Sequence, residues 1–175
     1  MTKIRAYLAI SADGFIADAQ GGVGWLETFQ GGEFGYKEFY DAVEIIISGR
    51  VTYEQVLGFG EWPYSGKRLI VMTGKELPIP EGADGVEFSK EDTLQLLDRL
   101  RSETTGDIWL LGGADLVQRF LAAGAVDTLE LYVMPVLLGS GIPLTGNQGS
   151  SGKLELIQTR AMEMGAVELI YQVGK

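Results

Sequence analysis

The chain has 175 residues, enough for one domain with a core of its own and short for two. It has no cysteine and no histidine, and its formal net charge is −10. This excludes disulfides and thiolate chemistry, makes a zinc or Ser-His-Asp hydrolase untenable, and argues against a nucleic-acid binder, which needs clustered Lys and Arg.

Residues 3–10 alternate polar or small with apolar side chains, a period of two that predicts the first strand. Ser11-Ala12-Asp13-Gly14 is a turn sequence, and Phe15 to Ala17 is a short apolar patch. Residues 18–35 carry six glycines and read as a long loop holding Trp25. Phe39, Tyr40 and Val43 stand at helical spacing, so residues 36–43 predict a short helix. A strand at 45–48, a helix at 51–57, an irregular aromatic connection at 58–66 and a strand at 69–72 follow. Pro78 and Pro80 interrupt regular structure before a short strand at 86–88.

Ser89-Lys90-Glu91-Asp92 has the form of a capping box, opening a helix with Leu94, Leu97 and Leu100 on one face. The strand 107–111 leads through Gly112-Gly113 into a helix with Leu116, Val117, Phe120 and Leu121 facing inward, ended by Gly124. Residues 128–138, 153–160 and 167–173 alternate like strands with no helix between them, which predicts antiparallel strands at one end of a parallel sheet. The fold expected is α/β, a mainly parallel sheet with an antiparallel end. No repeat or linker appears, so residues 1–175 read as a single domain. The amino terminus enters a strand pattern rather than a signal peptide, and no apolar run approaches the ~20 residues of a membrane helix. A cytoplasmic protein that binds neither membrane nor nucleic acid is expected.

Three apolar runs end abruptly in glycine and a polar residue: Ile45-Ile46-Ile47-Ser48 into Gly49-Arg50, Leu69-Ile70-Val71-Met72 into Thr73-Gly74, and Ile108-Trp109-Leu110-Leu111 into Gly112-Gly113. Ligands of parallel sheets collect beyond the carboxyl ends of strands, where glycine admits close approach and the following helix start favours anions. At the first junction Gly49, Arg50 and Thr52 would suit a dinucleotide pyrophosphate; an ordinary turn with a solvated arginine is the plainer explanation. At the second, Gly112, Gly113, Ala114 and Asp115 permit the same approach, with Asp115 capping the helix or meeting a polar ligand group; a tight turn also accounts for them. Thr73, Gly74 and Lys75 would hold an adenosine ribose and its 2′-phosphate, or form a surface turn. Arg50 and Lys75 are the cations at these three ends, which leans towards NADPH over NADH.

No G-x-G-x-x-G follows the first strand, and the stretch from Gly60 to Lys67 is one residue too long for a Walker loop. Trp25 would stack over a flat substrate or plug the core, whereas Trp62 reads as packing. Asp13 and Glu27 are the nearby carboxylates for proton relay, with a turn-forming aspartate and a solvated glutamate as the simpler readings.

The order Ser11-x-Asp13-Gly14-x-Ile16-Ala17, a loop tryptophan, Gly49-Arg50-x-Thr52-Tyr53-Glu54, Ile70-Val71-Met72-Thr73, then Gly112-Gly113-Ala114 resembles the dihydrofolate reductase superfamily. Pro135-Val136-Leu137-Leu138-Gly139-Ser140-Gly141-Ile142-Pro143-Leu144 is similar to its riboflavin-pathway branch, the reductase half of the bifunctional deaminase-reductase. The resemblance implies a dihydrofolate reductase-like fold, three-layer α/β/α around a mixed, mostly parallel sheet, with NADPH as hydride donor and a homodimer. By position it places Gly49, Arg50 and Thr52 at the cofactor phosphates and Thr73, Gly74 and Lys75 near the adenosine. It sets Gly112 to Leu116 along the pyrophosphate, Ile16 and Trp25 near nicotinamide and substrate, and Asp13 on the substrate side. The activity implied is reduction of a small carbonyl or imine compound, most simply 5-amino-6-(5-phosphoribosylamino)uracil, with water or Asp13 as proton source. A dihydrofolate- or pteridine-type reductase and a non-catalytic nucleotide sensor are the alternatives. Two departures stand out. Gln30 occupies the place, five residues after the loop tryptophan, where dihydrofolate reductases carry an acid, and no cations are evident for a phosphoribosyl substrate.

Overall fold

In the computed structural model, which describes residues 2–145 and 152–174, the apolar runs become the middle strands of one sheet. The strands are β1 (Ile4–Ser11), β3 (Val43–Gly49), β4 (Arg68–Met72), β5 (Val86–Ser89), β6 (Asp107–Gly112), β7 (Thr128–Met134), β9 (Leu154–Ala161) and β10 (Val167–Val173). Their order is β5-β4-β3-β6-β1-β7-β10-β9, parallel from β5 to β7 and antiparallel at the β7–β10 and β10–β9 pairings. A second sheet pairs β2 (Phe15–Ala17) with β8 (Ile142–Pro143).

Helices cover both faces. On one, α3 (Thr93–Glu103) and α4 (Ala114–Ala122) bury Leu96, Leu97, Leu100, Leu116, Val117 and Phe120 against Ile4, Ile45, Ile47, Ile70, Ile108 and Leu110. On the other, α1 (Tyr36–Ala42) and α2 (Arg50–Leu57) bury Phe39, Tyr53 and Val56 against Ile46, Leu69, Val71 and Trp109. Successive residues of β3 thus feed opposite faces, which is why this strand reads as an unbroken apolar run. The three-layer α/β/α fold with antiparallel carboxy-terminal strands is as expected. No helix among the described residues is long and apolar enough to cross a membrane.

Local corrections have identifiable causes. Helix α3 is capped by Asp92, whose carboxylate accepts from the amides of Leu94 and Gln95 at 3.0 Å each, not by Ser89. Ser89 ends β5 instead, and its hydroxyl bonds Glu91. The shifted start turns Leu94 to solvent and puts Leu96 in the core. Part of the glycine-rich segment is a 3₁₀ helix, Gly24–Phe29, and Val43 already belongs to β3. Strand β7 stops at Met134, before Pro135, which has no amide to continue the ladder. Helix α4 closes as anticipated: Gly124 has φ 63°, its amide donates to Leu121 O, and that of Ala125 donates to Phe120 O.

Two buried carboxylates sit on the sheet face under the loop that precedes α1. Glu130 receives the Arg5 guanidinium at 2.6 and 2.8 Å. Glu168, 1% exposed, receives Arg160 at 2.7 and 2.8 Å and the Tyr132 hydroxyl at 2.9 Å.

Candidate functional site

The site follows from the connections. From β3 the chain passes through α2 leftward to β4, and from the neighbouring β6 it passes through α4 rightward to β7. Right-handed crossovers in opposite directions place α2 and α4 on opposite faces, so a crevice opens between their amino termini. This is the switch point at which open α/β sheets receive ligands.

Gly49 caps α2 and Gly113 caps α4, and neither cap offers a side-chain hydrogen bond to the first-turn amides. Both helix starts therefore present free donors to the crevice. The two junctions are in van der Waals proximity. A Cβ on Gly49 would lie 3.5 Å from Gly112 O and 3.7 Å from Gly113 N, and one on Gly113 would lie 3.3 Å from Thr52 Oγ1. Side chains would fill the very cradle that the paired glycines keep open. The Gly112–Gly113 peptide is cis.

The third junction extends the rim. Gly49 pairs with Met72, and Met72 with Ser89, so the ends of β3, β4 and β5 lie level. Beyond them Thr73, Gly74, Lys75, Leu77, Phe88 and Lys90 line an open groove of about 730 Å³. Its centre is roughly two strand spacings, about 10 Å, from the Gly49–Gly113 cradle. Lys75 and Lys90 have no ion-pair partner among the described residues, whereas Arg5, Lys37, Arg50, Arg68, Arg99 and Arg160 are all paired. Lys90 joins this groove without a motif to single it out. Its signal, a lysine directly after the β5 strand pattern, is overlaid by the capping-box form of Ser89-Lys90-Glu91-Asp92.

On the other side β1 and β7 rise above the floor. Continuing the Arg5–Trp109 pairing sets Gly112 level with Leu8, and a Gly112 Cβ would lie 4.0 Å from Leu8 Cδ2. Strand β1 runs three residues further to Ser11, about 10 Å, paired throughout with β7 to Met134. The loop after β2 arches back over the rim: Gln55 Nε2 of α2 donates to Gly21 O at 2.5 Å, and Gly21 lies against Ile142. Trp25 packs beside Met134 and Tyr132, and its indole N–H is buried with no hydrogen-bond partner among the described residues.

The remaining predicted residues make fewer contacts towards the crevice. Arg50 reaches the rim, but its guanidinium is held by Glu54 one turn on, at 2.7 and 2.9 Å. Asp115 makes no capping bond and lies exposed in the first turn of α4. Leu116 spends its side chain in the core and its amide on Gly113 O, so it offers the rim nothing. Ile16 is half-buried on the same core. Glu27 is exposed in the 3₁₀ helix, with no bond to Asp13.

For Asp13 the structure favours the simpler, turn-forming reading. Its carboxylate accepts from Ser11 Oγ at 2.6 Å and from the amides of Gly139 and Leu138 at 2.7 and 3.1 Å. The Ser11 hydroxyl, then the two amides, hold this carboxyl below the usual range, so it is ionised at neutral pH and carries no proton to give. Its work is to fasten the loop after β7 to the end of β1. Gly141 completes that closure, since any Cβ there would collide with Ala17 O.

A mixed sheet with a glycine-lined switch point is an α/β fold of the dihydrofolate reductase kind. Residues 67–167 match the model of the RibD C-terminal domain, and the chain belongs to that family. It is 40% identical to the uncharacterized protein YwjB of Bacillus subtilis, over 97% of both chains. Among solved structures it is similar to a putative riboflavin biosynthesis protein from Shewanella, with TM-score 0.87, 26% identity and 99% of both chains covered. The dihydrofolate reductase of Enterococcus faecalis, complexed with NADP(H), shares the fold at TM-score 0.65 and 16% identity, over 99% of this chain and 97% of its own.

Proposed function

We propose that this protein is a cytoplasmic NADPH-dependent reductase that delivers hydride to a carbonyl or imine carbon of a small heterocycle. The observation that carries the reading is the Gly49–Gly113 cradle, two helix starts without side-chain caps and with the space between them left open by the absence of two Cβ atoms. An anionic pyrophosphate suits such a pair of amide clusters, and Thr52 Oγ1 adds a hydroxyl beside them. The groove at Thr73, Lys75 and Lys90 suits the adenosine, with Phe88 and Leu77 as apolar walls and the two lysines meeting a 2′-phosphate.

Nicotinamide, when bound, supplies the hydride. The chain's residues do the rest by position. The cradle fixes one end of the cofactor, the β1–β7 wall with Trp25 bounds the acceptor, and the arch tied by Gln55 to Gly21 limits water. With Asp13 ionised, the proton that completes the reduction comes from solvent.

Replacing Lys75 and Lys90 with alanine, singly, tests the cofactor assignment. Each change is expected to raise the KM for NADPH about tenfold, the value of one charge-assisted bond, while NADH kinetics stay within about twofold. Equal effects on both nucleotides would refute the assignment.

We further propose a homodimer formed along β9. All eight residues of this edge strand are exposed, including Leu154, Leu156 and Ile157, and among the described residues the strand pairs only with β10. Such an apolar edge with free backbone groups is otherwise an aggregation hazard. Leu156→Lys is expected to turn a dimer into a 19.0 kDa monomer in sedimentation equilibrium. A wild-type protein that sediments as a monomer at micromolar concentration would remove the proposal.

A further inference from the structure

The two ends of the crevice differ in charge. The nucleotide end has Lys75 and Lys90, with Arg50 bonded to Glu54, whereas residues 6–36 and 120–152 contain no lysine, arginine or histidine at all. Within them lie the described parts that bound the acceptor end: the rise of β1 to Ser11, the arch, the Trp25 turn, the upper part of β7 and the loop at 135–141.

Cations from elsewhere do not make up the difference. Arg160 is spent on buried Glu168, Lys37 on Asp41, and Arg119 sits in the last turn of α4, away from the helix start that faces the crevice. Phosphate can also be held by main-chain amides alone. Here the protein has filled such places with carboxylates of its own. Asp13 occupies the amides of Leu138 and Gly139, and Asp18 occupies those of Gln20 and Gly22 at 2.9 and 2.7 Å. A phosphate entering this end would displace neither and would be repelled by both.

Resting on the reductase reading above, we infer that the acceptor carries no phosphate: it is a neutral or cationic flat heterocycle, not a ribotide. Trp25, packed beside Tyr132 and Met134, gives this end an aromatic wall that suits a flat ring. The family's phosphorylated substrate is therefore recognised in this chain, if at all, only through its base.

The test is direct binding to the protein saturated with NADP⁺, followed by tryptophan fluorescence. The probes are 5-amino-6-ribosylaminouracil with and without its 5′-phosphate, and NADPH oxidation is followed with the same pair. The unphosphorylated compound is expected to bind at least as tightly, with kcat/KM at least tenfold higher. Failure of the ribotide to bind at millimolar concentration also supports the inference. A ribotide that binds or reacts tenfold better than its nucleoside overturns it. Absence of NADP⁺ binding in the first step would instead refute the reductase reading, so the two failures are distinct.

Discussion

Gly113→Ala is expected to lower NADPH affinity by at least 30-fold, about 2 kcal/mol, in a fluorescence titration, with the folded structure preserved. The backbone at Gly113 has φ −79° and ψ −161°, an extended conformation open to any residue, so alanine strains nothing there. The new methyl would stand 3.3 Å from Thr52 Oγ1, in the space between the two helix starts. A pyrophosphate approaching the amides of α2 and α4 meets that methyl first. Gly49→Ala, whose Cβ would lie 3.5 Å from Gly112 O, is expected to act in the same direction. Urea unfolding supplies the control, and a stability change below about 1 kcal/mol is anticipated for either variant. Unchanged NADPH affinity in both would mean that the cradle is not the pyrophosphate site.

Glu168→Gln and Arg160→Ala are expected to give the largest changes in stability and its pH dependence. Bonding by Arg160, opposed by burial and assisted by Gln158 and Tyr132, draws the Glu168 carboxyl down to about 2 from 4.5. A group whose pKa is depressed on folding contributes stability above its unfolded pKa and loses it as pH falls towards the folded one. Wild-type protein should therefore lose roughly 3 kcal/mol of this contribution between about pH 4.5 and pH 2. Glu168→Gln should flatten that limb in urea titrations across the range. Arg160→Ala leaves a carboxylate in the sheet with Tyr132 and Gln158 but no cation, at a cost of about 3 kcal/mol at pH 7. An acid limb equally steep in Glu168→Gln would place the titrating group elsewhere.

The residues that could be read from sequence were those whose neighbours along the chain determine their environment. Ile45–Ile47, Leu69–Val71 and Ile108–Leu110 each reach both faces of the sheet, and no amphipathic alternative fits such runs. Gly124 was legible because a helix end is a local event. Asp92 was not, because Ser89 and Asp92 are both good caps, and the choice depended on β5 extending one residue further to pair with Met72. The choice between the two readings of Asp13 rests on the same kind of distant pairing. A carboxylate in a turn looks available until the loop at Leu138 and Gly139, 125 and 126 residues away, arrives to occupy it. Arg50 looked free until Glu54 was seen to hold it, although the i,i+4 spacing was visible.

By itself the sequence determined the layer architecture, the parallel core with its antiparallel end, the three glycine-ended strands and the lack of cations in residues 6–36 and 120–152. These depend on composition, period and chain order, which are local properties. Only the tertiary structure decided which strand ends adjoin, that Lys90 joins Lys75, and that Asp13 fastens a loop rather than carrying a proton. Those outcomes come from pairings between distant segments, where strand order and crossover direction, not propensity, choose the neighbours.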